Sequence, residues 1–283
     1  MLKKVKWSQL YLWLVFIFLY APIFYLMFYS FNAGENMSKF EGFSWIHFQE
    51  LFQDTRLLII LLETFILAFL SALLATIIGT FGAILIRRFK NRKTRLGFLS
   101  LNNILLVSPD VIIGASFLIL FTVLGAWIRG FSLGFITVLL SHIAFSIPIV
   151  VLMVLPKLQE MNESLVMAAY DLGANDRQVL LNVILPYLTP GIIAGYFMAF
   201  TYSLDDFAVT FFVTGNGFTT LAVEIYSRAR RGVSLEINAL STLVFVFSLF
   251  LVIGYYFITS DEKKFKKSKK SQAQVESEVP VVK

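Results

Sequence analysis

Six runs of apolar residues, each long enough to cross a lipid bilayer, set the first limit on this chain. A spanning helix needs about 20 mainly apolar residues. Such runs occupy residues 9–31, 57–86, 98–124, 133–155, 187–213 and 239–258 of the 283. In hydrocarbon every backbone N–H and C=O has to be bonded inside the segment, so these runs predict helices. Composition agrees: 58% of residues are hydrophobic and 15% charged, with a mean hydropathy of +0.77, where a soluble domain averages about 25% charged. The expected fold class is all-α, a polytopic membrane protein with six transmembrane helices. The expected organisation is a cytoplasmic N-terminus (1–8), a six-helix membrane domain (9–259) and a basic, disordered cytoplasmic tail (260–283). The chain has no cysteine, which excludes disulfides, thiol catalysis and cysteine-ligated zinc.

Lys3, Lys4 and Lys6 precede the first run, as in a secretory signal. That run is too long for a signal core and no small-residue cleavage site follows it, so it is read as retained. Orientation follows from the basic residues. With six spans, the N-terminal lysines, the loop RRFKNRKTR (87–95) and the tail KKFKKSKK (263–270) fall on one side, which the positive-inside rule makes cytoplasmic. Only SRARRG (227–232) runs against this count. The tail reads as a solvated lysine run in contact with anionic lipid. On the outer side, FSWIHFQELF (43–52) alternates aromatic and polar residues and predicts a short helix in the membrane interface, with Trp45 and His47 as anchors. His142 is the only other histidine; it is read as hydrogen-bonded packing within the fourth span, and no metal site is expected.

Two segments carry more specific information. Between the fourth and fifth runs lies PKLQEMNESLVMAAYDLGANDRQVLLNVILPYLTPG (156–191). Leu165, Ala168, Ala169 and Leu172 recur at helical spacing, Gly173 breaks the pattern, and a second short helix carries Val179, Leu180, Val183 and Ile184 up to Pro186. Two readings stand: a compact knob that docks on a cytoplasmic partner, or a helical hairpin packed on its own bundle. The fifth run contains SLDDFAVTFF (203–212). Acids inside a span are costly and mark a pathway or a pairing partner. On a continuous helix Tyr202, Asp206 and Thr210 share a face beside Ser203, with Asp205 turned about 100° away. Asp206 is then expected to face a path and Asp205 to support it. In the third run, Pro109 should break or kink the helix, and Asn103 and Asp110, seven apart, share a face. Carboxylates, freed carbonyls and aromatic faces suit a cation. The alternative is pairing of an acid with a Lys or Arg, of which the spans hold almost none, so that the partner would come from a second subunit.

The stretch MAAYDLGANDRQVLLNVILP (167–186) resembles the EAA signature of ABC importer permeases. Ala168, Ala169, Gly173, Leu185 and Pro186 match that signature, whereas Met167 stands where the family usually has glutamate. The segments SLDDFAVTFFVTGNGFTTLAVEIYS and RRGVSLEINALST resemble the spermidine/putrescine permeases of that family, PotC-type. The resemblance covers nearly the whole chain up to the tail and implies a type I, MetI-like importer fold. It implies that the knob is a coupling helix seated in a cytoplasmic ATPase, with Asp176 acting on coupling. It ties Asp110, Ser203, Asp205 and Asp206, and more weakly Trp45, to polyamine movement, with Tyr202 beside them. The partners it implies are a second permease subunit in a heterodimer, an ABC ATPase dimer, an extracytoplasmic polyamine-binding protein and the lipid bilayer; no nucleic-acid partner is expected. The chain has no G-x-x-x-x-G-K-S/T phosphate loop, so ATP and magnesium belong on the ATPase, this subunit is expected to be no enzyme, and it needs no cofactor of its own. Its expected place is the bacterial cytoplasmic membrane with both termini inside. Three other readings compete: an ABC permease for another small cation, an ion-coupled secondary transporter, and a membrane scaffold or sensor. A secondary transporter would show inverted repeats, and a scaffold would leave the buried acids unexplained.

Overall fold

The computed structural model describes residues 7–231, 235–246 and 249–250. The N-terminal lysines, the basic tail and half of the sixth apolar run lie outside the described residues. In chain order the helices are α1 (Trp7–Tyr29), α2 (Ile46–Gln53), α3 (Thr55–Arg88), α4 (Arg92–Val107), α5 (Asp110–Trp127), α6 (Phe135–Glu160), α7 (Glu163–Asp171), α8 (Asp176–Val179), α9 (Leu185–Asp205), α10 (Ala208–Val213), α11 (Leu221–Arg231) and α12 (Leu235–Val246). A π turn, Leu180–Ile184, joins α8 to α9. Among the described residues, five stretches are long and apolar enough to cross a membrane: Gln9–Tyr29, α3, α5, α6, and Asp176–Asp205 taken as one helix.

The chain forms two compact units, one of residues 55–230 and one of the two chain ends. In the terminal unit an isolated bridge pairs Asn32 with Phe43. The Asn32 side chain closes this turn, donating to Asn36 O and Lys39 O (both 2.9 Å) and accepting from Glu41 N at 2.7 Å. The interfacial helix expected over 43–52 is α2. His47 is buried and bonds to Glu50 and to the Gly34 carbonyl.

The central unit is built on α3, α6 and α9. The buried face of α3 runs through Leu57, Ile60, Thr64, Leu67, Ser71, Ala75 and Gly79, a helical spacing that ends in three small residues. Small side chains let helices approach closely where lipid supplies no hydrophobic drive between them. Gly79 marks the closest approach: a Cβ there would lie 2.7 Å from Val150 Cβ and 3.1 Å from the Ile147 carbonyl. Gly191 and Gly195 do the same for α9 against Met153 and Val150 of α6. Gly79→Ala is therefore expected to lower the thermal midpoint of the purified permease. Overpacking costs about 1–3 kcal/mol, more than the ~1 kcal/mol of helix propensity that Ala regains. An unchanged midpoint would show that α3 and α6 part freely at this level.

Three sequence expectations need correction. The third apolar run is two helices: α4 stops at Val107 and α5 begins at Asp110. Pro109 imposes the break, and the break removes the shared face inferred for Asn103 and Asp110, because helical phase does not carry across it. Pro186 does not end the second knob helix. It sits in the first turn of α9, where a proline loses no helical bond, and the preceding π turn, closed by Leu185 N to Leu180 O, lets the chain run on from Asp176 to Asp205. The fifth run in turn stops at Asp205 and resumes as α10 at Ala208.

Candidate functional site

The two interruptions meet in space. At the first, the Ser108 hydroxyl bonds back to the Ile104 carbonyl at 2.7 Å and Pro109 caps α5. Asp110 then sits in the first turn of α5, at the positive end of its dipole. At the second, Tyr202 near the end of α9 reaches across and donates its hydroxyl to Asp110 Oδ1 at 2.9 Å. The Tyr202 ring stands edge-on to Phe145 of α6 at 5.0 Å. Asp205, the last residue of α9, is exposed. Asp110, Tyr202 and Asp205 thus present two carboxylates and a phenol from two facing helix ends.

Asp206 is placed differently. Its side chain is only 7% exposed and serves as a cap for α10, accepting from Val209 N (3.3 Å), Thr210 N (2.8 Å) and the Thr210 hydroxyl (2.8 Å). It also lies 3.5 Å from His142 Nε2. The face expected for Tyr202, Asp206 and Thr210 on one helix does not exist, because the helix ends between the first two. The partner of this buried acid also differs from the Lys or Arg expected: it is His142 of this chain. Ser203, 1% exposed, lies in the same buried network, with its hydroxyl 2.7 Å from His142 Nδ1 and 2.8 Å from Ser71 Oγ. The other ring nitrogen of His142 is 2.9 Å from Thr210 Oγ1. Thr210 gives its proton to Asp206 and so accepts from Nε2–H of His142. The Ser71 hydroxyl donates to the Ala68 carbonyl at 3.2 Å and, through Ser203, ties α3 to this network.

Gly114 of α5 permits the contact between the two broken helices. A Cβ there would lie 2.7 Å from Phe212 Cδ2, 3.1 Å from Val209 Cα and 3.2 Å from the Ala208 carbonyl. The Thr137 hydroxyl of α6 fixes the far end of α10 by donating to Val213 O at 2.8 Å. Trp45 belongs to the terminal unit. It packs edge-on against Phe31 (4.9 Å) and Phe43 (5.7 Å) and remains exposed.

The knob is ordered by its own polar groups. Asn162 caps α7 through Ser164 N. At its other end Gly173 takes φ +84°, with Gly173 N bonded to Tyr170 O and Ala174 N to Ala169 O, a Schellman closure that glycine accommodates without strain. Asn175 and Gln178 form a reciprocal box at the start of α8. The Tyr170 hydroxyl donates to Asp176 at 2.8 Å, and that bond raises the phenol's pKa above its ordinary value. Arg87 at the end of α3 donates to the carbonyls of Leu158 and Met161 and pairs with Glu163 at 3.5 Å. Ala169 packs on the central core. Met167 (62%), Ala168, Gly173, Asp176 and Pro186 are exposed, as is Leu172 at 90%, while Leu185 is half-buried against the core.

A close-packed bundle of membrane helices thus carries acids at two facing helix breaks and a capped helical knob between two of its spans. The chain belongs to the family of binding-protein-dependent transport system inner membrane components, whose model matches residues 75–266. It is 36% identical over 251 residues to the spermidine/putrescine transport system permease protein PotC of Haemophilus influenzae, covering 88% of this chain and 95% of that protein. To the putrescine transport system permease protein PotI of Escherichia coli K12 it is 36% identical over 265 residues, covering 92% and 94%. Its fold matches a chain of a bacterial ABC transporter involved in the import of the acidic polysaccharide alginate, with a TM-score of 0.70 at 17% identity over 88% of this chain and 92% of that one. A chain of the MetNI methionine ABC transporter matches with a TM-score of 0.57 at 20% identity, over 73% and 96%. The all-α, multi-pass importer fold read from the sequence is therefore the fold of this chain, and the protein is a multi-pass component of the cytoplasmic membrane.

Proposed function

We propose that this chain is one permease subunit of an ATP-driven importer that brings spermidine or putrescine into the cell. The observation that carries the reading is the meeting of Asp110, Tyr202 and Asp205 at two facing helix interruptions. Two separated carboxylates suit a flexible chain bearing separated ammonium groups, and the flanking aromatic rings suit its methylenes. The relatives named for spermidine and putrescine transport support the same cargo. Asp206 and Ser203 hold the frame of this path, and Trp45 is a candidate contact outside it.

On this reading a second permease subunit completes the path, and an extracytoplasmic binding protein delivers the cargo. A cytoplasmic ATPase dimer hydrolyses magnesium-ATP and receives the knob through the exposed Met167, Ala168 and Leu172, with Ala169 seating the knob on its own bundle and Gly173 and Asp176 fixing its turn. Both termini then lie in the cytoplasm. The test is uptake of labelled spermidine and putrescine by cells that lack their own polyamine importers and express this chain with its partner subunits. Saturable, ATP-dependent uptake of either polyamine is expected. An assembled complex that hydrolyses ATP and imports neither overturns the polyamine assignment, and import of another small cation would name the cargo instead.

A further inference from the structure

Among the described residues His142 is a fully buried titratable group to which the transport reading assigns no task. It is fully enclosed on α6, and its two ring nitrogens bond to opposite sides of the α9–α10 interruption. Nδ1 holds Ser203 of α9 at 2.7 Å, and Nε2 holds Thr210 of α10 at 2.9 Å. Ser203 continues to Ser71 of α3 at 2.8 Å, so the ring ties both halves of the broken helix to α6, and Ser203 ties the first half to α3 as well. At the break Asp206 is extended, at φ −62° and ψ 122°, and its carboxylate accepts hydrogen bonds forward, from Val209 and Thr210 of α10. Asp205 and Tyr202 lie immediately ahead of it. The charged and titratable groups nearby are Asp206, Asp205 and Tyr202 on α9 and its end, and Asp110 on α5.

We propose that His142 is a positioning residue, holding the two halves of the interrupted helix at the spacing that presents Tyr202 and Asp205 to the cargo. It touches no cargo and acts through Ser203, Thr210 and Asp206. The proposal rests on the transport reading above. The arm to Thr210 and Asp206 matters most, because α9 stays anchored to α3 through Ser71, whereas Thr137 holds α10 only at its far end and the ring holds the end next to the break.

Substitutions separate the two arms. A glutamine amide reaches as far as Nε2 and preserves the contact with Thr210 and Asp206; an asparagine amide reaches only as far as Nδ1. In the complete complex, at equal membrane abundance, His142→Ala and His142→Asn should lower the maximal spermidine uptake rate ten-fold or more. Apparent KM should be unchanged, since the binding protein captures the cargo. His142→Gln should stay within three-fold of wild type. Uptake by the Ala or Asn variant within two-fold of wild type overturns the proposal, as does a Gln variant no better than Ala. If the His142 variants fail to accumulate, Thr210→Val, of equal shape but without the acceptor, is compared with Thr210→Ser; equal uptake by the two overturns it. If the wild-type complex imports no polyamine, the transport reading falls and positioning is read without cargo. A single cysteine, Ala208→Cys in this cysteine-free chain, should react with maleimide at least ten-fold faster beside His142→Ala than beside His142 or His142→Gln. Equal rates in all three overturn the proposal.

Discussion

Asp205→Asn is expected to lower polyamine uptake ten-fold or more while the permease assembles at wild-type abundance, whereas Asp206→Asn is expected to lose uptake and stability together. The two neighbours differ in surroundings, not in chemistry. Asp205 is exposed at the end of α9, so exchanging its carboxylate for an amide removes a charge and disturbs no packed group. Asp206 accepts three hydrogen bonds in a site only 7% exposed. An asparagine there must turn an NH2 toward either Val209 N–H or the two Thr210 donors. Leaving such groups buried and unpaired costs about 1–3 kcal/mol, and the lost cap adds about 1 kcal/mol more. The check is uptake per assembled complex alongside the thermal midpoint of the purified complex. Normal transport by Asp205→Asn, with loss of transport but an unchanged midpoint in Asp206→Asn, would restore the opposite assignment of the two residues.

Gly114→Val is expected to abolish uptake, and Gly114→Ala to reduce it about ten-fold. Of the three atoms that a Cβ would approach most closely, two are main-chain atoms of α10, at 3.1 and 3.2 Å. Main-chain atoms cannot swing aside as a side-chain tip can, so α5 and α10 have to separate. Overpacking of this kind costs about 1–3 kcal/mol, and the larger branched side chain lies at the upper end. The functional loss comes from position. Asp110 begins α5, α10 directly follows the two aspartates, and separating the helices pulls the carboxylates apart. Uptake measured at equal abundance checks this, and near-normal transport by the valine variant would show that the two helices need not touch.

The parts of this structure governed by local rules were legible in the sequence. Long apolar runs have only the helical solution in lipid, Pro109 can only interrupt, and Gly173 after an apolar-periodic stretch marks a helix end. The break after Asp205 was not legible, because no proline or glycine announces it and the run stays apolar on both sides. The available signal was an aspartate three and four residues ahead of Val209 and Thr210, a capping pattern that only a helix start gives meaning to. Helical-wheel reasoning over Tyr202, Asp206 and Thr210 then failed, since it presupposes the continuity that the cap removes. His142 stands 64 positions ahead of Asp206, and nothing local to either residue announces a contact between them. Pro186 misled for the converse reason: a proline in a first turn extends a helix as readily as it ends one.

The long helix Asp176–Asp205 has a mechanical consequence. One of its ends lies in the knob and the other beside the acids. Its irregular points, the π turn Leu180–Ile184 and the prolines Pro186 and Pro190, are all crowded near the knob. Beyond them, residues 191–205 form an uninterrupted rod of about 22 Å. A hinge at one end and a stiff arm beyond it make a lever. A swing of about 10° at the hinge carries Asp205 through about 4 Å, on the arm length that helix geometry gives. That is more than the reach of one hydrogen bond, so on the proposed transport reading a small push on the knob would be enough to release a cation held at Asp205.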